Sequence, residues 1–117
     1  IDAADITTGP HQLRIMRNTG SGFALISTTA LPGVPNTIAK GDFNRDGALD
    51  LAIAFPNSAF VYLNDGGGRF IQGSAPFNPI GTYPQLAVGD LNNDGFADVA
   101  AIVQNGGVTS IHVALNN

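Results

Sequence analysis

Apolar and polar positions alternate in short runs along the whole chain. Between residues 109 and 115, Thr, Ile, Val and Leu occupy the odd positions, whereas Ser, His and Ala occupy the even ones. This period of two is that of a β-strand, whose side chains point alternately to opposite faces of a sheet. Gly, Pro, Asn and Asp separate the apolar runs, as is typical of strands joined by tight turns. The pattern predicts an all-β protein, because no segment shows the 3.6-residue period of an amphipathic helix.

One segment recurs along the chain. Gly41–Ile53 reads GDFNRDGALDLAI, and Gly89–Ala101, which begins 48 residues later, reads GDLNNDGFADVAA. The segments 60–65 and 112–117 also resemble each other, and a partial copy of the repeat opens the chain at Ala4–Ile6. A fixed period of this length indicates a repeat architecture. We therefore expect repeats at about 1–35, 36–83 and 84–117, of which the first and the last are truncated.

The strands of the middle repeat are expected at about 36–41, 50–55, 59–64 and 69–73. Four-stranded units of this size are typical of β-propeller blades. Three, four and three strands are predicted for the successive repeats, which amounts to about two and a half four-stranded antiparallel blades in one partial propeller domain. Such a set cannot close a ring. We expect either a fragment of a longer chain, the alternative we favour, or several copies that assemble.

The composition indicates a folded chain, and the positions of the acidic residues show where its negative charge lies. Hydrophobic residues make up 44% of the chain and charged residues 12%, the opposite of a disordered composition. Cysteine is absent, so there is no thiolate ligand or disulfide. All nine acidic residues are Asp, and six of them lie in the windows 42–50 and 90–98. No basic patch or membrane-length apolar run is present, so we expect neither a nucleic-acid partner nor a membrane span.

The two windows have the pattern Asp-x-Asn-x-Asp-Gly-x-x-Asp, which places oxygen-bearing side chains at loop positions one, three, five and nine. Calcium is a hard cation that takes six to eight oxygens, and the Gly at position six permits the sharp turn that such a loop needs. We expect one Ca²⁺ in each loop. The candidate ligands are Asp42, Asn44, Asp46, the Ala48 carbonyl and Asp50 in the first loop, and Asp90, Asn92, Asp94, the Phe96 carbonyl and Asp98 in the second.

Several alternatives compete with calcium at these loops. An EF-hand needs a Glu at position twelve, where Ile53 and Ala101 stand, and it needs flanking helices. Magnesium prefers a smaller octahedral shell, and zinc prefers Cys and His ligands, which are missing here. The remaining alternative is a loop of Asx turns that holds no metal, in which Asp and Asn bond to their own backbone.

At these residues the sequence resembles the FG-GAP/VCBS repeats, the integrin-α-like calcium-binding β-propellers. The resemblance rests on 41–54 and 89–101, with weaker support from the Gly-rich turn in 63–70. It implies a propeller of six to eight blades with a calcium loop between the first and second strands of a blade, and it nominates the same ten ligands. The short Phe-Gly and Gly-Ala-Pro motifs that name the repeat are largely missing, which makes the chain more similar to the microbial VCBS type than to integrins.

We expect a non-catalytic binding or adhesion scaffold from a secreted or cell-surface protein, with a protein or glycan ligand. Two other interpretations stay open, namely an accessory propeller part of a secreted carbohydrate-active enzyme and an oligomeric carbohydrate-binding lectin. The only histidines are His11, expected in an exposed turn, and His112, expected in a strand without a catalytic partner. The triple glycine Gly66–Gly68 lacks the Lys of a phosphate loop and is expected to form a hairpin turn.

Overall fold

A computed structural model of the chain describes residues 3–76 and 81–116, so residues 1–2, 77–80 and 117 of the predicted repeats lie outside the described residues. The all-β prediction is confirmed, since these ranges contain ten strands. None of the described segments is a helix long and apolar enough to cross a membrane. The strands are β1 (Ala3–Thr8), β2 (His11–Asn18), β3 (Phe23–Ala30), β4 (Thr37–Gly41), β5 (Asp50–Phe55), β6 (Ser58–Asn64), β7 (Phe70–Gln72), β8 (Thr82–Gly89), β9 (Asp98–Asn105) and β10 (Val108–Ala114).

The strands form three separate antiparallel sheets in the order of the chain. The first sheet is β1-β2-β3, the second is β4-β5-β6-β7 and the third is β8-β9-β10. Each strand pairs with the one that follows it within its sheet, so every sheet is a simple meander. Strand numbers of three, four and three agree with the predicted partial blades.

The central strand β5 is buried on both faces, and all six of its residues belong to the interior. Leu51, Ile53 and Phe55 pack against the first sheet, where they meet Leu13 and Ile15. The alternate residues of β5 point the other way and pack against the third sheet. Because successive side chains of a strand point to opposite faces, a sheet that lies between two others needs apolar residues at every position.

Two apolar clusters hold the three sheets face to face. The cluster between the first and second sheets comprises Leu13, Ile15, Leu31, Leu51, Ile53, Phe55, Tyr62 and Phe70. The cluster between the second and third sheets comprises Phe43, Ala52, Ala54, Ala59, Val61, Tyr83, Leu86, Val99, Ala101 and Val103. Small alanines on β5 let the third sheet approach closely, and the larger Tyr83 and Val103 fill the remaining space.

The outer face of the third sheet is apolar and exposed. Ile111 and Val113 of β10 are 75% and 53% exposed. In the repeat they correspond to Ala59 and Val61 of β6, which are buried against the third sheet. The same sequence position is therefore a core position in one sheet and a surface position in the next.

Candidate metal-binding loops

The first aspartate loop joins β4 to β5, and the second joins β8 to β9. Each loop therefore connects the first strand of its sheet with the next. In the first loop, Asp42 accepts hydrogen bonds from the backbone N–H groups of Asp46 and Gly47, at 3.2 and 2.9 Å. Asp46 accepts bonds at 2.8 Å from the backbone N–H of Ala48 and from the side-chain amide of Asn44. The loop thus curls around its own carboxylates.

Asp50, at position nine, has a different environment from the other loop carboxylates. It is fully buried, and each of its oxygens accepts a backbone N–H at 2.8 Å, from Phe43 and from Asn64. The same carboxylate thereby joins the start of the loop to the end of β6. Burying a carboxylate is costly unless hydrogen bonds compensate for the lost water, and two charge-assisted bonds provide that compensation.

The second loop repeats this geometry bond for bond. Asp90 accepts from the N–H groups of Asp94 and Gly95, and Asp94 accepts from the N–H of Phe96 and the amide of Asn92. Asp98 is fully buried and accepts at 2.8 Å from the backbone N–H groups of Leu91 and Asn116. Two loops separated by 48 residues in the sequence therefore adopt one conformation.

Positive backbone φ angles produce the tight curl of each loop. Gly47 and Gly95, at position six, have φ angles of +86° and +87°. Arg45 and Asn93, at position four, are the two non-glycine residues with positive φ in the described chain, at 61° and 62°. Such angles cost energy for a residue with a Cβ atom, so the surrounding hydrogen bonds must stabilise them. The glycine role predicted from the sequence agrees with these angles.

The donor set of each loop has the chemistry that suits a hard cation. Asp42, Asp46 and the Asn44 carbonyl are oxygen donors that lie together on the outer part of the loop, where Asp46 N–H is shared between Asp42 and Asn44. In residues 3–76 and 81–116, however, no three Asp, Glu, His or Cys side chains converge as a group that could hold a metal. The carboxylates bond to the loop backbone instead, and each oxygen that accepts one hydrogen bond keeps a second lone pair.

The predicted ligands of the first loop are therefore only partly brought together. Asp42, Asn44 and Asp46 share hydrogen bonds with one another, whereas Asp50 is buried beneath them and bonded to backbone. The ligand roles of all ten residues remain predictions. The residues present suit calcium by donor type, and the same hydrogen bonds describe a self-contained Asx-turn loop.

The two loops contact each other through an arginine of the first loop. The Arg45 guanidinium carbon lies 4.8 Å from the centre of the Phe96 ring, over its face. A Cβ atom built on Gly95 would meet the same guanidinium at 3.4 Å. The N–H of Phe96 and the amide of Asn92 hold the pKa of Asp94 below its usual value, and the charge of Arg45 lowers it further. A residue of the first loop therefore contacts the second loop directly.

Sequence reasoning missed the role of two asparagines. The Asn64 side chain donates to the Leu49 carbonyl at 3.1 Å and accepts N–H bonds from Gly66 and Gly68, so it ties β5, β6 and the Gly-rich turn together. Its counterpart Asn116 donates to the Phe43 carbonyl at 2.7 Å, across to the second sheet. The signal was present, because both residues end a recurring Leu-Asn pair. The register of the partners was not readable from the sequence.

One of the two histidines differs from its predicted environment. His11 is the first residue of β2 and partly buried, whereas an exposed turn was predicted, and that expectation was wrong. Its Nδ1 has no hydrogen-bond partner within the described ranges. His112 lies in β10 as predicted, and its Nε2 is 3.0 Å from the Ser110 hydroxyl two residues earlier on the same face of the strand. A pair of this kind follows from strand periodicity alone.

Comparison with known proteins agrees with the repeat and its loops. Residues 42–101 match the FG-GAP-like repeat family, a span that runs from the first residue of the first loop to β9 and covers just over half of the chain. Comparisons with curated proteins and with solved structures gave no match. The matched span includes both aspartate loops and the strands β5, β6, β7 and β8 between them. The chain therefore belongs to the FG-GAP-like repeat family.

Proposed function

We propose that this chain is a calcium-binding β-propeller segment in which each aspartate loop holds one Ca²⁺. One observation carries the proposal: two loops far apart in sequence share the same hydrogen-bond network around exposed carboxylates and the same positive φ angles. A loop that served only as a connection could take many conformations. Three aspartates in each nine-residue window repel one another at short range, and a divalent cation would remove that repulsion.

The residues that would hold the ion are Asp42, Asn44, Asp46, the Ala48 carbonyl and Asp50, with the corresponding residues in the second loop. The ion would supply a hard positive charge that neutralises the carboxylates. In the chain itself, Asp50 already joins the loop to β6, and Asp42 already accepts hydrogen bonds from the backbone N–H groups of the turn. Calcium would therefore stabilise the folded state by binding a nearly preformed loop, and it would take no part in a reaction.

The wider role that we propose is a non-catalytic binding scaffold of a secreted or cell-surface protein. Extracellular calcium modules bind with dissociation constants of about 10⁻⁴ to 10⁻³ M, which suits the millimolar calcium found outside cells. At a hundredfold excess of calcium over the dissociation constant, each site adds about 2.7 kcal/mol to the free energy of unfolding. The two buried aspartates, Asp50 and Asp98, accept backbone N–H groups, which assigns them to structure in this proposal.

Thermal unfolding and native mass spectrometry test the proposal together. The wild type should gain two calcium masses per chain in millimolar Ca²⁺, lose them in EDTA, and unfold at a higher temperature with calcium than without. The double variant Asp42→Asn/Asp90→Asn should lose both the calcium masses and the shift in unfolding temperature.

Asp65→Asn is the matched control for these variants. Asp65 is an exposed carboxylate that also accepts loop N–H groups, from Gly67 and Arg69, but it lies outside both aspartate loops. This variant should retain two calcium ions. If the wild type binds no calcium at millimolar concentration, the loops are Asx-turn connections and the proposal is wrong.

A further inference from the structure

The two loops are alike in ligands and hydrogen bonds, but their electrostatic surroundings differ. Arg45 belongs to the first loop, where it stands between Asn44 and Asp46. Its guanidinium lies over the Phe96 ring and against Gly95, both in the second loop. The corresponding residue of the second loop is Asn93, which has the same positive φ and no charge. The positively charged side chain of Arg45 in the first loop therefore lies beside the second loop.

The backbone of the first loop directs this contact. A φ of 61° turns the Arg45 side chain out of the loop that contains it, and the neighbouring residues Asn44 and Asp46 are held by their mutual hydrogen bonds. The guanidinium also packs against Gly95, where an added Cβ would stand 3.4 Å from it. The planar guanidinium can then stack on Phe96, an arrangement that a lysine ammonium reproduces less well.

We infer that Arg45 makes the second loop a weaker cation site than its ligands alone would make it, and so sets different affinities for two otherwise equivalent loops. The inference rests on the proposed calcium binding. A positive guanidinium over the Phe96 ring and against Gly95, the residue after Asp94, repels a divalent ion that the second loop would hold. The contact is exposed to solvent, so salt screens the repulsion and its effect is moderate.

A second arginine provides an internal comparison. Arg17 lines a cavity of about 300 Å³ together with Gly47, Ala48 and Leu49, so a cation also stands near the first loop. It faces that loop across the cavity, whereas Arg45 is in contact with the second loop. Both arginines are exposed. Arg17→Gln therefore removes the same charge from a position near the first loop and is a matched control for Arg45→Gln.

NMR titration with CaCl₂ separates the two loops. The backbone amides of Gly47 and Gly95 bond to the first aspartate of their own loops, so each amide signal reports on one site. Removing a unit charge beside a divalent ion in an exposed loop changes its affinity by about two- to fivefold at low salt. Arg45→Gln should lower the calcium midpoint of Gly95 by this factor. Arg45→Lys should keep the Gly95 midpoint close to that of the wild type, and Arg17→Gln should leave it unchanged.

The outcomes distinguish this inference from the proposed function. If neither glycine signal responds to 10 mM Ca²⁺, calcium binding itself fails. If both signals saturate and Arg45→Gln leaves the Gly95 midpoint unchanged or raises it, the inference is overturned while calcium binding stands. An equal tightening in Arg45→Lys and Arg45→Gln would also overturn it, because the effect would not depend on charge. At about 1 M salt, where the Debye length is near 3 Å, the difference between wild type and Arg45→Gln should disappear.

Discussion

The backbone N–H of Asn64 donates to the buried carboxylate of Asp50 at 2.8 Å, which joins the end of β6 to the end of the first aspartate loop. The other oxygen of Asp50 accepts from Phe43, at the start of that loop. One side chain thus connects three pieces of backbone inside the second sheet. Asp98 makes the same connections in the third sheet, through Asn116 and Leu91.

This relationship predicts that Asp50 stabilises the fold even when calcium is absent. Asp50→Asn replaces one acceptor by an NH₂ group that faces a backbone donor, and the loss of a buried charge-assisted hydrogen bond costs about 2 kcal/mol. Urea unfolding in EDTA should show this loss in the free energy of unfolding. Asp42→Asn, in the partly exposed part of the same loop, should cost less than about 1 kcal/mol under the same conditions. Equal losses would contradict a structural role specific to Asp50.

Gly47 is expected to be intolerant of alanine for conformational reasons. A Cβ at this position would meet nothing within 4 Å, but its φ of +86° is strained for any residue with a side chain. Gly47→Ala should therefore lower the free energy of unfolding by about 1 to 2 kcal/mol, measured by urea unfolding in EDTA. Gly22→Ala is the control, because that position is equally open and lies outside the left-handed region. If the two variants have the same free energy of unfolding, the positive φ at position six does not make alanine destabilising there.

Corresponding valines of the repeat should respond differently to the same substitution. Val61 is 6% exposed and packs between the second and third sheets, whereas Val113 is 53% exposed on the outer face of the third sheet. Val61→Ala should cost about 2 kcal/mol through lost burial and a residual cavity, and Val113→Ala less than about 0.5 kcal/mol. Thermal unfolding of both variants checks this. Similar losses would show that the outer face is covered in solution.

Tyr62 should make stability sensitive to alkaline pH. Burial raises the pKa of Tyr62 above its usual value of 10.0. The folded state therefore holds the phenol proton more strongly than the unfolded state. The resulting contribution of Tyr62 to the free energy of unfolding is fully present below pH 10 and is lost as pH rises through the raised pKa. Tyr62→Phe should unfold like the wild type at pH 7, because the hydrogen bond from the Tyr62 hydroxyl to Gln72 is long, at 3.4 Å, and its loss costs little.

At pH 11 the Tyr62→Phe variant should be more stable than the wild type, since it has no phenol to ionise. Urea unfolding at the two pH values measures the difference. Tyr83→Phe, which alters the other tyrosine of the chain, serves for comparison. A wild type and a Tyr62→Phe variant that lose stability in parallel between pH 7 and pH 11 would show that another group controls alkaline unfolding.

Much of the fold was readable from local pattern. The predicted strands 50–55 and 59–64 lie within one residue of β5 and β6, because alternating apolar residues and flanking turn residues specify a strand within a short window. The predicted strand 69–73 is longer than β7, which spans only Phe70–Gln72, because Gly73 donates across to Val61 and interrupts regular pairing. The predicted glycine turns of both aspartate loops agree with the positive φ angles of Gly47 and Gly95.

The sequence did not predict the burial and hydrogen-bond partners of the loop residues. The motif groups Asp50 with Asp42 and Asp46, yet Asp50 is buried and bonded to the backbone of β6. Its partner Asn64 lies fourteen residues away, at a position set by the register of β5 against β6. A sequence motif specifies residue types at fixed spacing, but it does not state which of them the neighbouring strand will cover.

The sequence by itself determined the repeat, the strand order and the two aspartate loops, because these depend on side-chain alternation and on hydrogen bonds between residues a few positions apart. Only the tertiary structure decided that one face of β5 meets the first sheet and the other the third, and that Arg45 lies over Phe96. Those contacts join residues from different repeats. They arise when the sheets pack face to face to remove apolar surface from water, and that packing depends on the shapes of whole sheets.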